Sequence, residues 1–200
     1  MIQSLNKIIH NPLSLKKKEF INNKLKDKPI ILVGMPGSGK TAIGKIMAKK
    51  LNRIFYDSDQ IIEGRFGYTI SEIFEKMGEK KFREIEYEEL LKIKNGNFVI
   101  ATGGGAYIYP KSHYLINKYG FTIWIKASQK IIVERTINNK NRPLLQGSGI
   151  ITKVKVLLRE RNPIYSKAKL TVFATKENKI KMLNNVIYAI SKNLNDNKNG

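Results

Sequence analysis

Short apolar runs alternate with longer segments whose apolar residues recur every three or four positions. The runs at 30–33, 53–56, 98–101, 121–126 and 170–174 read as strands. Helical periodicity covers 41–51, 60–65, 70–77, 80–94, 112–119, 128–137, 151–161 and 179–194. Gly78 separates two of these helices, Asn95-Gly96 is a turn, and Thr69 or Ser71 caps the helix beginning at Ile70. The helix from Ile151 is expected to stop before Asn162-Pro163, since proline disfavours helical geometry in the residue ahead of it.

Strands joined through helices predict an α/β protein. The expectation is a three-layer α/β/α sandwich around a central five-stranded parallel sheet. Ligands in such sheets collect beyond the carboxyl ends of the strands, so the residues leaving each strand carry the functional information.

Strand one runs into Gly34-Met35-Pro36-Gly37-Ser38-Gly39-Lys40-Thr41, which fits the template G-x-x-x-x-G-K-[ST]. Its glycines let backbone N–H groups converge on a phosphate, and the following helix adds the positive end of its dipole. This predicts a P-loop NTPase fold binding a nucleoside triphosphate. Gly37, Ser38, Gly39, Lys40, Thr41 and Ala42 are the expected nucleotide ligands, with Lys40 at the β- and γ-phosphates and Thr41 on Mg²⁺.

Strand two is followed by Asp57 and Asp59. They read either as helix caps or as a metal-orienting and a hydroxyl-positioning carboxylate, and the neighbouring phosphate loop favours the second. Arg83 and Glu86 share a helix face, as an exposed ion pair or as an arginine aimed at an anionic substrate; periodicity leaves both open. Strand three ends in Gly103-Gly104-Gly105, whose backbone suits close approach to a polar ligand. Arg142 lies in a long polar loop read as a lid over about 138–150, and Arg161 ends the next helix.

Composition narrows the chemistry. With no cysteine and only His10 and His113, thiol catalysis and His/Cys metal sites are excluded, leaving an oxygen-bound Mg²⁺. No run approaches the ~18 apolar residues of a membrane span. The net charge of +21 is spread over scattered lysines without a nucleic-acid-binding motif, so no specific nucleic-acid partner is expected. Only seven of the 37 basic residues are arginines, and these mark positions that need a planar fork. Residues 1–28 form a basic extension, loose or docked at the periphery, with a helix over 15–25; targeting or regulation stays open for it. Residues 29–195 form the domain and 196–200 a tail.

The segments GMPGSGKT, FYDSDQIIE, GEKKFREIE, ATGGG, RPLL and RNPIY, in this order, resemble shikimate kinase across about residues 29–194. The resemblance implies transfer of the ATP γ-phosphate to the 3-hydroxyl of shikimate by a cytoplasmic, monomeric enzyme. It further implies that Asp59 binds the shikimate hydroxyls and that Asp57 holds Mg²⁺ through water. Arg83 and Arg161 then clamp the carboxylate with the glycine backbone, and Glu86 orients Arg83. Arg142 acts as the lid arginine on the phosphates, and Arg135 stacks near adenine. Two other classes are weighed: a nucleotide-dependent scaffold, which would lack a catalytic group, and a basic nucleic-acid binder.

Overall fold

The computed structural model describes residues 12–137, 149–175 and 179–196. Arg142 and most of the expected lid therefore lie outside the described residues, as do residues 1–11 and 197–200.

The chain order is α1 (Pro12–Leu25), β1 (Ile30–Val33), α2 (Lys40–Leu51), β2 (Ile54–Asp57), α3 (Ser58–Phe66), α4 (Ile70–Lys92) and β3 (Phe98–Ala101). It continues with α5 (Pro110–Tyr119), β4 (Phe121–Lys126), α6 (Gln129–Thr136), α7 (Ile150–Tyr165), β5 (Leu170–Phe173) and α8 (Lys179–Asp196). All five strands are parallel, in the order β2-β3-β1-β4-β5. All four residues of β1 are buried, as its unbroken apolar sequence requires at the centre of a sheet covered on both faces. The register pairs Leu32 with Ala101 and Ala101 with Asp57, so β1, β3 and β2 end level with one another. That alignment brings the phosphate loop, Thr102 and Asp57 to one edge.

Helix α2 packs on β1, β2 and β3, and α1, α2 and α8 pack on one another; α5 covers β4 and also meets α4. A second, smaller cluster of Ile62, Ile70, Ile73, Phe82 and Ile85 joins α3 to α4. Thr69 caps α4 in a capping box with Glu72. Gly78 leaves helical geometry (φ 77°, ψ 164°), so the expected break is a kink within α4.

Two expectations change. The segment 12–28 is not peripheral: Ile21 and Leu25 lie in the main core. Buried Arg53 donates to Asn22 Oδ1 at 2.9 Å and to the Lys28 carbonyl at 3.0 Å, tying the segment down. Helix α7 does not stop at Arg161 but runs through Pro163 to Tyr165. Proline removes one N–H from the ladder, and the burial of Tyr165 among the core side chains keeps the last turn helical.

Candidate active site

The phosphate loop curls from β1 into α2 with Gly34, Gly37 and Gly39 at φ 137°, 77° and 102°. Gly39, at the N-cap of α2, has the left-handed backbone that side chains resist. Lys40 Nζ donates to the carbonyls of Gly34 and Met35 at 2.8 and 2.9 Å, which holds the ammonium over the loop. Ser38 Oγ is buried and has no hydrogen-bond partner among the described residues. A buried, unpartnered hydroxyl within a loop of this kind fits a phosphate oxygen.

Asp57 caps a helix and also reaches the phosphate loop. Its Oδ1 caps α3, accepting from the N–H groups of Asp59 and Gln60 at 3.1 and 3.3 Å. Its Oδ2 accepts from Thr41 Oγ1 at 2.6 Å. The hydroxyl and carboxylate together make a hard-oxygen donor pair beside the phosphate loop, the type of set Mg²⁺ takes when phosphates and water complete its shell. Asp59 lines the same cavity of about 210 Å³ with Lys40, Thr41 and Arg135.

The Arg83–Glu86 pair is buried, not exposed. Arg83 Nη1 meets Glu86 Oε2 at 2.8 Å, and Glu86 has no solvent exposure. Glu79, one turn earlier on α4, accepts from Arg83 Nη2 at 3.0 Å. Burial pulls the Arg83 pKa down, but Glu86 and Glu79 outweigh it and the net direction is up. Burial pushes the Glu86 carboxyl up to about 7, with Arg83 opposing the rise and Asp59 adding to it. The Arg83 guanidinium carbon lies 5.0 Å from the Phe82 ring centroid and 5.6 Å from that of Phe74, within cation–π range.

The three consecutive glycines are each required by a different neighbour. None has a positive φ, so backbone conformation is not the reason. A Cβ on Gly103 would lie 2.6 Å from Asp59 Oδ1 and closer still to Glu86 Oε1. On Gly104 it would lie 2.5 Å from Pro36 Cδ in the phosphate loop. On Gly105 it would lie 2.6 Å from Arg83 Nη1 and closer to Nη2 and Cζ. The segment is thus wedged between the nucleotide loop on one side and the Arg83–Glu86–Asp59 group on the other.

Arg161 Nη1 reaches the Gly104 carbonyl at 3.4 Å, from inside α7 and not from its end. With Arg83 and Gly105 it lines a cavity of about 380 Å³, walled also by Ile108, Tyr109 and Pro110. Arg135 donates to the carbonyls of Gly37, Ser38 and Thr175 at 3.2 Å and borders a more apolar cavity with Gly39, Ala42 and Ile43. That cavity adjoins the phosphate cavity, since Gly39, Ala42 and Arg135 border both. Apart from Arg142, every residue expected from the sequence therefore gathers at the carboxyl edge of the sheet.

Sequence reading passed over Glu79, Ser58, Pro36 and Tyr165. Ser58 Oγ accepts from the Gly103 N–H at 2.9 Å, and the Tyr165 hydroxyl donates to the Gly104 carbonyl. The four-residue spacings 79–83 and 161–165 place Glu79 beside Arg83 and Tyr165 beside Arg161, which is the signal that could have found them.

A glycine-rich loop on a five-stranded parallel sheet, with a carboxylate pair and an arginine-lined cavity beside it, defines a P-loop phosphotransferase for a small molecule. The family model described as "Shikimate kinase" matches residues 36–191. The shikimate kinase of Bartonella quintana (strain Toulouse) is 41% identical over 182 residues, covering 90% of this chain and 86% of that one. That of Thermodesulfovibrio yellowstonii is 44% identical over 143 residues, 70% of this chain and 82% of that one. The structure of shikimate kinase from Acinetobacter baumannii in complex with shikimate superposes with a TM-score of 0.82 at 33% identity, covering 86% and 98% of the two chains. The chain belongs to the shikimate kinase family and is an ATP-dependent kinase. A gluconokinase from Sinorhizobium meliloti 1021, at 12% identity and a TM-score of 0.58, shares the fold alone.

Proposed function

We propose that the site transfers the γ-phosphoryl group of MgATP to the 3-hydroxyl of shikimate through the following division of labour. Gly37 to Ala42 cradle the phosphates, and Arg135 lies against the adenine end of the nucleotide. Thr41, and Asp57 through water, would hold Mg²⁺, which would supply charge neutralisation for the transfer. Arg83 and Arg161 bind the shikimate carboxylate, with the Gly103–Gly105 backbone beside them, while Glu86 and Glu79 aim Arg83. Asp59 accepts the 3-hydroxyl hydrogen bond and takes its proton as that oxygen attacks the γ-phosphorus. The bond to the β–γ bridging oxygen breaks, and ADP leaves. Lys40 and the lid arginine Arg142 stabilise the charge on the transferring group.

The observation that carries this reading is the buried Arg83–Glu86 pair at 2.8 Å, facing Arg161 beside the phosphate loop. Burying an arginine costs desolvation that is justified where its fork must meet an anion in a fixed direction. The enzyme works as a cytoplasmic monomer without a nucleic-acid partner; among the described residues no helix is long and apolar enough to cross a membrane. A coupled assay of ADP release tests the assignment. Turnover should depend on shikimate, and turnover on gluconate or a nucleotide without stimulation by shikimate would reject it.

A further inference from the structure

We infer that the Tyr165 hydroxyl is a positioning group for the acceptor site: by holding the Gly104 carbonyl, it leaves Arg161 available to a substrate carboxylate. The inference rests on the reading of Arg161 as a carboxylate ligand.

Tyr165 has no solvent exposure. Its ring lies in an aromatic slot, 5.9 Å from Trp124 and 6.4 Å from Tyr107, near-parallel to the latter. Burial pushes its pKa up to about 12, against the opposing pull of Arg161, so the group stays a protonated donor at working pH. The carbonyl it serves is buried and cannot turn to water. Space beside Gly104 is short as well, since a Cβ there would lie 2.5 Å from Pro36 Cδ.

Two donors therefore converge on one buried carbonyl, and they are unequal. Tyr165 makes the close contact, whereas Arg161 sits at 3.4 Å, near the outer limit of a hydrogen bond. When a carboxylate draws Arg161 away, the carbonyl keeps its partner. Without the hydroxyl, Arg161 alone would satisfy it among the described residues, and substrate could bind only by leaving a buried acceptor unpaired. The same requirement accounts for the course of α7 through Pro163. One further helical turn places residue 165 on the same face as residue 161.

The test is Tyr165→Phe in the full chain, assayed with both substrates. The KM for shikimate should rise about 5- to 30-fold, with kcat within about two-fold and the KM for ATP unchanged. Tyr107→Phe removes a hydroxyl bonded to Asn117 in the same aromatic cluster and should leave all three parameters unchanged. In an Arg161→Ala background, Tyr165→Phe should add nothing, because it acts through Arg161. A full additional loss there overturns the inference, as does a fall of kcat and Tm with a rise of both KM values, which marks a purely structural role. If Arg161→Ala weakens shikimate binding and Tyr165→Phe does not, the positioning role fails while the clamp stands. If Arg161→Ala has no effect, the clamp reading itself fails. Should Tyr165→Phe not fold, 3-fluorotyrosine at 165 supplies a more acidic donor on the same ring. A lowered KM for shikimate then supports the role, and an unchanged or raised KM overturns it.

Discussion

Replacing Gly105 with alanine should damage the acceptor site while leaving the nucleotide site alone. The new Cβ would stand 2.6 Å from Arg83 Nη1 and closer to the rest of the guanidinium. Regaining ordinary contact demands a retreat of about 1 Å or more. Arg83 cannot give way freely, since it is held by Glu86 at 2.8 Å and Glu79 at 3.0 Å. Displacement loosens the buried pair, and Glu86, already pushed up to about 7 with Arg83 opposing the rise, holds its proton more firmly and avoids being an isolated buried charge. That escape keeps the stability loss near 1–2 kcal/mol instead of the ~3–5 kcal/mol of a broken buried pair. Substrate binding has no such escape. Losing one charge-assisted arm of the clamp is worth about 1.5–3 kcal/mol, or roughly a 13- to 160-fold rise in the KM for shikimate. Steady-state kinetics with ADP detection and a thermal melt check both halves. Gly104→Ala is the internal comparison, because its Cβ meets Pro36 at 2.5 Å and should raise the KM for ATP. A folded Gly105→Ala enzyme with unaltered KM for shikimate would show that Arg83 is not an arm of the clamp.

Lys40→Ala should lower kcat by about 10²–10³ in the coupled assay, and a fully active variant would contradict its place on the transferring group. Arg161→Ala should raise the KM for shikimate about 13- to 160-fold with a smaller effect on ATP, measured the same way. Glu86 is protonated in the folded chain up to about pH 7 but ionised in the unfolded chain above its ordinary value of 4.5. Its contribution to stability should therefore decline as pH rises from about 4.5 to 7. Urea unfolding across that window should show the decline in the parent and not in Glu86→Gln; equal slopes would reject the shift. Arg53→Ala removes three part-buried hydrogen bonds to Asn22, Lys26 and Lys28. It should cost about 3 kcal/mol, seen as a fall in Tm of about 6–12 °C.

Elements and chemistry were legible in the sequence to different depths. All five strands were visible as short, largely apolar runs between helical segments, the central β1, β3 and β4 because they are buried and the edge strands β2 and β5 although they are only partly so. The phosphate loop was equally plain, since its glycines and Lys40 act through local backbone geometry that spacing encodes. Pro163 misled, because local propensity places a helix end there, whereas packing of Tyr165 against Tyr107 and Trp124 outweighs one lost hydrogen bond. The N-terminal segment was misplaced for a related reason: its lysines announce solvent, while Ile21 and Leu25 carry the burial.

By itself, the sequence determined the architecture, the nucleotide loop and the set of side chains that could form an acceptor site. Tertiary structure decided how those side chains are used. Spacing could not tell whether Arg83 and Glu86 form an exposed pair or a buried one, because that depends on residues some twenty positions away. Nor could it show that three adjacent glycines separately make room for Asp59 with Glu86, for Pro36 and for Arg83. Local preferences act over a few residues and leave their mark as periodicity. The electrostatics and clearances of the site arise from contacts such as Gly104–Tyr165, 61 residues apart, and exist only once the sheet has brought its strand ends together.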